Sequence, residues 1–227
     1  MGLFSRKETN EDNEAVFDFH FPTSKKAVII FTRNPELGKC KTRLAKSVGD
    51  EAALDIYKYL LKHTADTVKP INADKFVFYS EKIKKEDLWD GSLFIKKLQN
   101  GDDLGIRMEN AFIDLFESGY QKVIIIGSDL LDLTVNHINE AFEKLNNHDV
   151  VFGPAKDGGY YLLGLSKPQA CIFHNKPWSE ANLLEVTIKE LGQKNVSLTL
   201  LQTLNDIDTF EDLIDHPQLK KFYTTYD

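Results

Sequence analysis

Ala27-Val-Ile-Ile-Phe-Thr-Arg-Asn-Pro-Glu-Leu-Gly-Lys-Cys-Lys-Thr-Arg43 is the stretch from which the fold can be read. Its first six residues are apolar and largely β-branched over a length too short for a helix, which marks a buried strand. The eleven that follow, Arg33 to Arg43, carry four cations, one proline and one glycine, the composition of a loop.

Working outward, the same alternation repeats. Strands are expected at Lys75–Tyr79, Ser92–Lys96, Lys122–Gly127, Asp149–Phe152, Tyr160–Gly164 and Val196–Leu201. Between them, helical spacing places Leu54, Tyr57, Leu61 and Ala65 on one face of a helix that Asp50 caps and that reaches Val68. Ile106, Ala111, Phe112 and Leu115 do the same within Leu104–Glu117, and further helices are expected at Thr134–Leu145, Ala181–Leu191 and Thr209–Ile214. Near-continuous apolar strands separated by helices require a mostly parallel sheet covered on both faces. The expectation is a single α/β domain over residues 25–227, preceded by a polar, partly disordered extension over residues 1–24.

Bulk properties narrow the function. A chain of 227 residues with 42% apolar and 28% charged residues is an ordinary globular composition, able to build its core without staples. A net charge of −7 gives no general attraction to nucleic acid. Only Cys40 and Cys171 are present, in no paired spacing, which fits a reducing cytoplasm. No run is long and apolar enough for a membrane span, and the first residues lack the core of a signal peptide. The expected partners are therefore small molecules, with neither nucleic acid nor membrane among them.

Ligands of such sheets bind beyond the carboxyl ends of the strands, so residues just after each apolar run carry the information. Backbone amides near Gly38, with Lys39, Lys41 and Arg43, form a cradle suited to a diphosphate or triphosphate, although a solvated basic loop is the plainer alternative. Arg33 stands where a P-loop needs glycine, which disfavours a Walker NTPase. Asp129, leaving the most apolar strand in Gly127-Ser128-Asp129, is placed to hold Mg²⁺ or Mn²⁺, or else to cap the next helix, for which Thr134 is nearer. Asp157-Gly158-Gly159-Tyr160 lies between two strands, where the glycines allow close backbone approach and Asp157 could orient a hydroxyl or serve as a base. The same pattern is common in hairpin turns. In Asn205-Asp-Ile-Asp-Thr-Phe-Glu-Asp212 the acids could cap the last helix, leaving one free to face the site.

Taken together, these elements resemble the radical-SAM/selenodomain-associated transferases, also known as arsenosugar-biosynthesis-type glycosyltransferases, within the nucleotide-diphospho-sugar transferase superfamily. The resemblance spans about Ala27 to Ile214. It rests on Arg33, Pro35, Gly38, Lys41, Thr42, Arg43 and Leu44; on Gln99, Gly101, Leu104, Gly105 and Arg107; and on Gly127-Ser128-Asp129, Gly153-Pro154, Asp157 to Tyr160, Pro177-Trp178 and Asp206 to Thr209. This chain departs from the pattern at Leu131, where the family carries proline, and at Glu180, where relatives carry threonine.

The resemblance implies a GT-A-like, Rossmann-like three-layer sandwich. It further implies that Arg33, Pro35, Gly38, Lys39, Lys41, Thr42, Arg43, Gly105 and Ser128 bind the nucleotide phosphates, that Asp129 and Asp208 hold the metal, and that Asp157, Gly158, Gly159, Tyr160 and Trp178 face the sugar or acceptor. Asp157, Lys41 and Arg43 would then carry catalysis. The activity so implied is sugar transfer from a nucleotide-diphospho-sugar to a small-molecule acceptor. One alternative is nucleotidyl transfer from a nucleoside triphosphate to a phosphorylated small molecule with release of pyrophosphate; the other is a nucleotide-sugar-binding protein without catalysis.

Overall fold

The computed structural model describes residues 21–223. The expected extension therefore lies outside the described residues except for its last four. Among these, the Thr23 and Ser24 amides donate to the Asp74 carboxylate, as does the Thr23 hydroxyl, and Asp74 also accepts from the Tyr120 hydroxyl at 2.6 Å. These bonds seat the start of the domain beside the first strands.

Among the described residues, seven strands form one sheet: β1 (Lys26–Thr32), β2 (Asp74–Tyr79), β3 (Phe94–Leu98), β4 (Lys122–Ile126), β5 (Val150–Pro154), β6 (Tyr160–Leu165) and β7 (Leu198–Leu200). Their spatial order is β3-β2-β1-β4-β6-β5-β7. Every pairing is parallel except those of β6, which runs antiparallel to both β4 and β5. The α-helices of the described residues connect them: α1 (Thr42–Val48), α2 (Asp50–Val68), α3 (Leu104–Glu117), α4 (Val135–Lys144) and α5 (Leu183–Gln193).

Side chains alternate across a strand, so β1 feeds two cores. Val28 and Ile30 join Tyr57, Leu61 and Ala65 of α2 and Ile138, Ala141 and Phe142 of α4. Ala27 and Ile29 join Met108, Ala111, Phe112 and Leu115 of α3 and Leu191 of α5 on the other face. The result is the expected α/β single domain, a three-layer GT-A-like sandwich. Among the described residues, no helix is long and apolar enough to cross a membrane.

Several expected boundaries shift for local reasons. Asp50 is not the cap of α2; Gly49 is, and Asp50 with Glu51 occupies the first turn, where the helix dipole favours acids. Leu54 is only half-buried, because Ile56 and Leu60 point to a separate apolar floor and rotate the buried face. β3 starts later than expected, since the Asp90 carboxylate captures the Ser92 amide and hydroxyl in a turn. β7 is shorter than the apolar run around it, and the expected last helix is a single 3-10 turn, Glu211–Leu213. Helix α1 was not anticipated: it buries Leu44 and sits within what reads as a cation-rich loop.

The floor itself comprises Leu44, Ile56, Leu60, Leu131, Ile207, Leu213 and Leu219, and it ties α1 and α2 to the C-terminal segment. Ile207 is fully buried there. Ile207→Ala should cost roughly 2–5 kcal/mol, the range for emptying a well-packed aliphatic site. Urea unfolding is the check, and a loss under about 0.5 kcal/mol would mean that the floor does not hold the C-terminal segment.

Candidate active site

Parallel neighbours β1 and β4, aligned with Ile30 opposite Ile126, release their following loops side by side at one rim. Because β6 runs backwards between β4 and β5, the turn 155–159 joining β5 to β6 opens at that same rim. The bridge between Ala155 and Leu204 then delivers residues 205–212 beside it. Four segments far apart in the chain thus meet beyond the strands' carboxyl ends.

At their meeting point the Lys41 ammonium lies 2.7 Å from Asp129 Oδ2 and 3.0 Å from Asp208 Oδ1. Arg43 forms a second ion pair with Asp208. Asp129, Asp206 and Asp208 present carboxylate oxygens within 4.8 Å of one another, a set that could hold a metal ion. The Lys41 side chain is only 5% exposed. Burial alone would lower its pKa, but the attraction of Asp129 and Asp208 outweighs burial and holds it above the ordinary lysine value.

Asp206 behaves oppositely. Burial first, and then repulsion from Asp129, Asp208 and Asp157, push its carboxyl up to about 6, with Lys41 offsetting only part. A divalent cation would relieve that repulsion, and three carboxylates are the hard oxygen donors Mg²⁺ or Mn²⁺ takes. Asp206 is a site residue that the sequence reading missed. The signal was present, because an extended Asp206-Ile207-Asp208 with a buried centre must turn both acids to the opposite side.

The carboxylate loops are held from below. The Ile207 amide donates to the Asp129 carbonyl at 3.3 Å, while Ile207 and Leu131 pack in the same floor. Leu131 is thus a core residue of the turn after Asp129. Asp212 organises the other side: its carboxylate accepts from the Asp208 amide, the Thr209 amide and hydroxyl, and the Asn205 side chain. Burial works against that carboxylate, but these donors prevail and keep its pKa below the ordinary value.

The cation loop is fastened by Asn34, a buried residue the sequence reading gave no role. Its side-chain oxygen accepts from the Glu81 and Lys82 amides, and its amide donates to the Lys82 carbonyl. Pro35 is half-buried and the chain turns at Gly38. Lys41 caps α1 in left-handed conformation, φ 50° and ψ 45°, which aims its side chain at the acids while Arg33, Thr42 and Arg43 stay exposed.

Three of the residues expected on the phosphates have contacts within the protein. Lys39 turns to Glu36 at 2.8 Å, so the loop's own acid meets it. The Ser128 hydroxyl is buried within hydrogen-bonding reach of Tyr57 and Thr32, beneath the loops. Gly105 lies in α3, where a Cβ would come 2.5 Å from the Phe173 carbonyl and 2.6 Å from the Trp178 ring; its smallness serves helix packing. Trp178 is accordingly half-buried against α3.

On the acceptor side, Asp157 is exposed and accepts from the Gly159 amide at 2.9 Å. Gly158, φ 91°, leaves no space for a Cβ, which would fall 1.8 Å from the Ala181 carbonyl. Tyr160 packs against Phe152, and its buried hydroxyl has no hydrogen-bond partner among the described residues.

A family profile described as "Uncharacterized protein conserved in bacteria (DUF2064)" matches residues 64–180. The chain is 26% identical over 195 residues to 2-phospho-L-lactate guanylyltransferase of Methanocaldococcus vulcanius, covering 82% of each chain. It is 26% identical over 190 residues to the enzyme of the same name from Methanobrevibacter ruminantium, covering 78% of this chain and 80% of that one. A crystal structure from Desulfovibrio desulfuricans G20, provisionally described as a nucleotide-diphospho-sugar transferase, superimposes with a TM-score of 0.79 at 27% identity, covering 89% of this chain and 94% of that one.

The raised Asp206 carboxyl has a stability consequence. Between the ordinary aspartate value of 3.8 and about 6, the folded form binds a proton that the unfolded form does not, so metal-free stability falls as pH rises through this window. At pH 7, Asp206→Asn should therefore raise stability by roughly 1 kcal/mol, about 2–4 °C in melting temperature after allowing for solvent screening. The gain should vanish by pH 4. Melting curves in chelator at both pH values decide it, and a variant that melts lower at pH 7 contradicts the charge assignment.

Proposed function

We propose that this chain, which belongs to the DUF2064 family, is a metal-dependent nucleotidyltransferase that joins a nucleoside triphosphate to a phosphorylated small molecule and releases pyrophosphate. The observation that carries the reading is the union of an acidic triad with a cationic loop at one rim, through Lys41. Such a pairing suits a polyphosphate that arrives with a divalent ion. The two curated relatives named as guanylyltransferases point the same way.

Asp129, Asp206 and Asp208 would hold the ion, which supplies charge neutralisation for the phosphates and for the departing pyrophosphate. Arg43 and the exposed loop around Gly38 orient the phosphate chain, and Lys41 adds positive charge at its base. The acceptor enters from the side of the 155–159 turn and Trp178. Its phosphate oxygen forms the new bond to the α-phosphorus as the bond to the β-phosphate oxygen breaks. A phosphate nucleophile is already anionic at neutral pH and needs no general base. Asp157, exposed and engaged with the Gly159 amide, would orient that acceptor.

Sugar transfer from a nucleotide-diphospho-sugar is the second reading, and with it membership of the radical-SAM-associated, arsenosugar-type subfamily. It is favoured by the likeness to the Desulfovibrio desulfuricans structure and by Asp157, whose charge reaches Asp206 and which would then serve an acceptor hydroxyl.

A panel of nucleoside triphosphates and UDP- or GDP-sugars, each with Mg²⁺, Mn²⁺ or chelator, separates the readings. A ligand at 100 times its dissociation constant adds about 2.7 kcal/mol of apparent stability, a measurable melting shift. Metal-dependent stabilisation by a triphosphate, with pyrophosphate released in the presence of phosphorylated acceptors, is expected. Stabilisation by nucleotide sugars alone would transfer the assignment to sugar transfer, and binding without turnover of any pair would indicate a nucleotide-sugar-binding protein. Asp129→Ala should lower turnover about a hundredfold or more; near wild-type turnover with metal dependence intact would remove Asp129 from the chemistry.

A further inference from the structure

Resting on the reading of the triad as a metal site, we infer that Lys41 competes with the metal: its ammonium holds Asp129 and Asp208 until a divalent ion and a phosphate chain arrive together, and then passes to the phosphates. The ammonium contacts two of the three carboxylates whose oxygens lie within 4.8 Å of one another. An ion such as Mg²⁺, which binds carboxylate oxygens at about 2.0–2.1 Å, would be driven against it, since two cations repel strongly where little water screens them.

Lys41 cannot simply turn to solvent from where it is, because its side chain is 5% exposed, and an ammonium displaced without a partner loses both its hydration and its ion pairs. A phosphate chain beside the loop provides that partner. A lysine suits the exchange, being a point charge with three donors on a flexible four-carbon stem. Arg43, also paired with Asp208, has a side chain 69% exposed and is free to follow the phosphates without a desolvation cost.

The consequence is reciprocal coupling. Metal alone binds weakly because it must evict Lys41, polyphosphate alone binds weakly because the acids face it, and each raises the other's affinity by the same factor.

The test measures Mn²⁺ binding by electron paramagnetic resonance, with free Mn²⁺ held at matched concentrations in the presence and absence of inorganic tripolyphosphate. For the wild-type protein, tripolyphosphate should tighten Mn²⁺ at least tenfold. Lys41→Met should bind Mn²⁺ alone at least tenfold more tightly than wild type and lose most of the tripolyphosphate effect, whereas Lys41→Arg, which keeps the charge, should bind Mn²⁺ alone as weakly as wild type. Far-ultraviolet circular dichroism confirms folding of each variant, and the wild-type comparison stands if Lys41→Met does not fold. Equal Mn²⁺ affinity in wild type and Lys41→Met, or wild-type binding indifferent to tripolyphosphate, overturns the competition while leaving the triad a metal site. Absence of Mn²⁺ binding in every protein, with or without tripolyphosphate, overturns the metal reading itself and this inference with it.

Discussion

A lysine ammonium removed from water is tolerated only where anionic oxygens replace its hydration, and that demand organises the rim of this protein. Lys41 follows β1, Asp129 follows β4 and Asp208 follows β7, so one buried charge obliges three distant loops to converge. Beneath the ion pairs, the convergence is sealed by the bond from the Ile207 amide to the Asp129 carbonyl and by the shared packing of Leu44, Leu131 and Ile207. The polar contacts above and the apolar floor below are alternate faces of the same extended residues.

The arrangement separates two tasks in space. On the β1 side, Asn34 locks the cation loop to residues 81 and 82, and Glu36 meets Lys39, which leaves Lys41 and Arg43 as the cations directed at the acids. On the β6 side, the 155–159 turn exposes Lys156 and Asp157, while Tyr160 and Trp178 pack against the core beneath. The triad draws its acids from the segments after β4 and β7. That layout suits transfer between two bound molecules.

The strands and the convergence of Asp129 with Asp208 were legible because buried parallel strands advertise themselves as apolar runs and place function after their ends. The short helix α1 was not, because its seven residues bury Leu44 alone and its cations mask the pattern. Asp206 was hidden by its neighbour: two acids separated by one residue read as a cap until Ile207 proves to be buried. Ser128 and Gly105 stand in motif blocks, yet their positions serve packing and a buried hydroxyl network, a distinction that needs three dimensions. Which bond is transferred was least legible, since both chemistries call for the same charges at the same rim.

Gly158 couples two segments of the rim. Its contact with the Ala181 carbonyl, together with the bond from the Leu184 amide to the Gly158 carbonyl, welds the 155–159 turn to the approach of α5. Ala181 and Leu184 are thereby fixed to that turn, and the Ala155–Leu204 bridge joins the turn to the segment that carries Asp206 and Asp208. A side chain at position 158 would therefore displace the turn and the approach of α5 together.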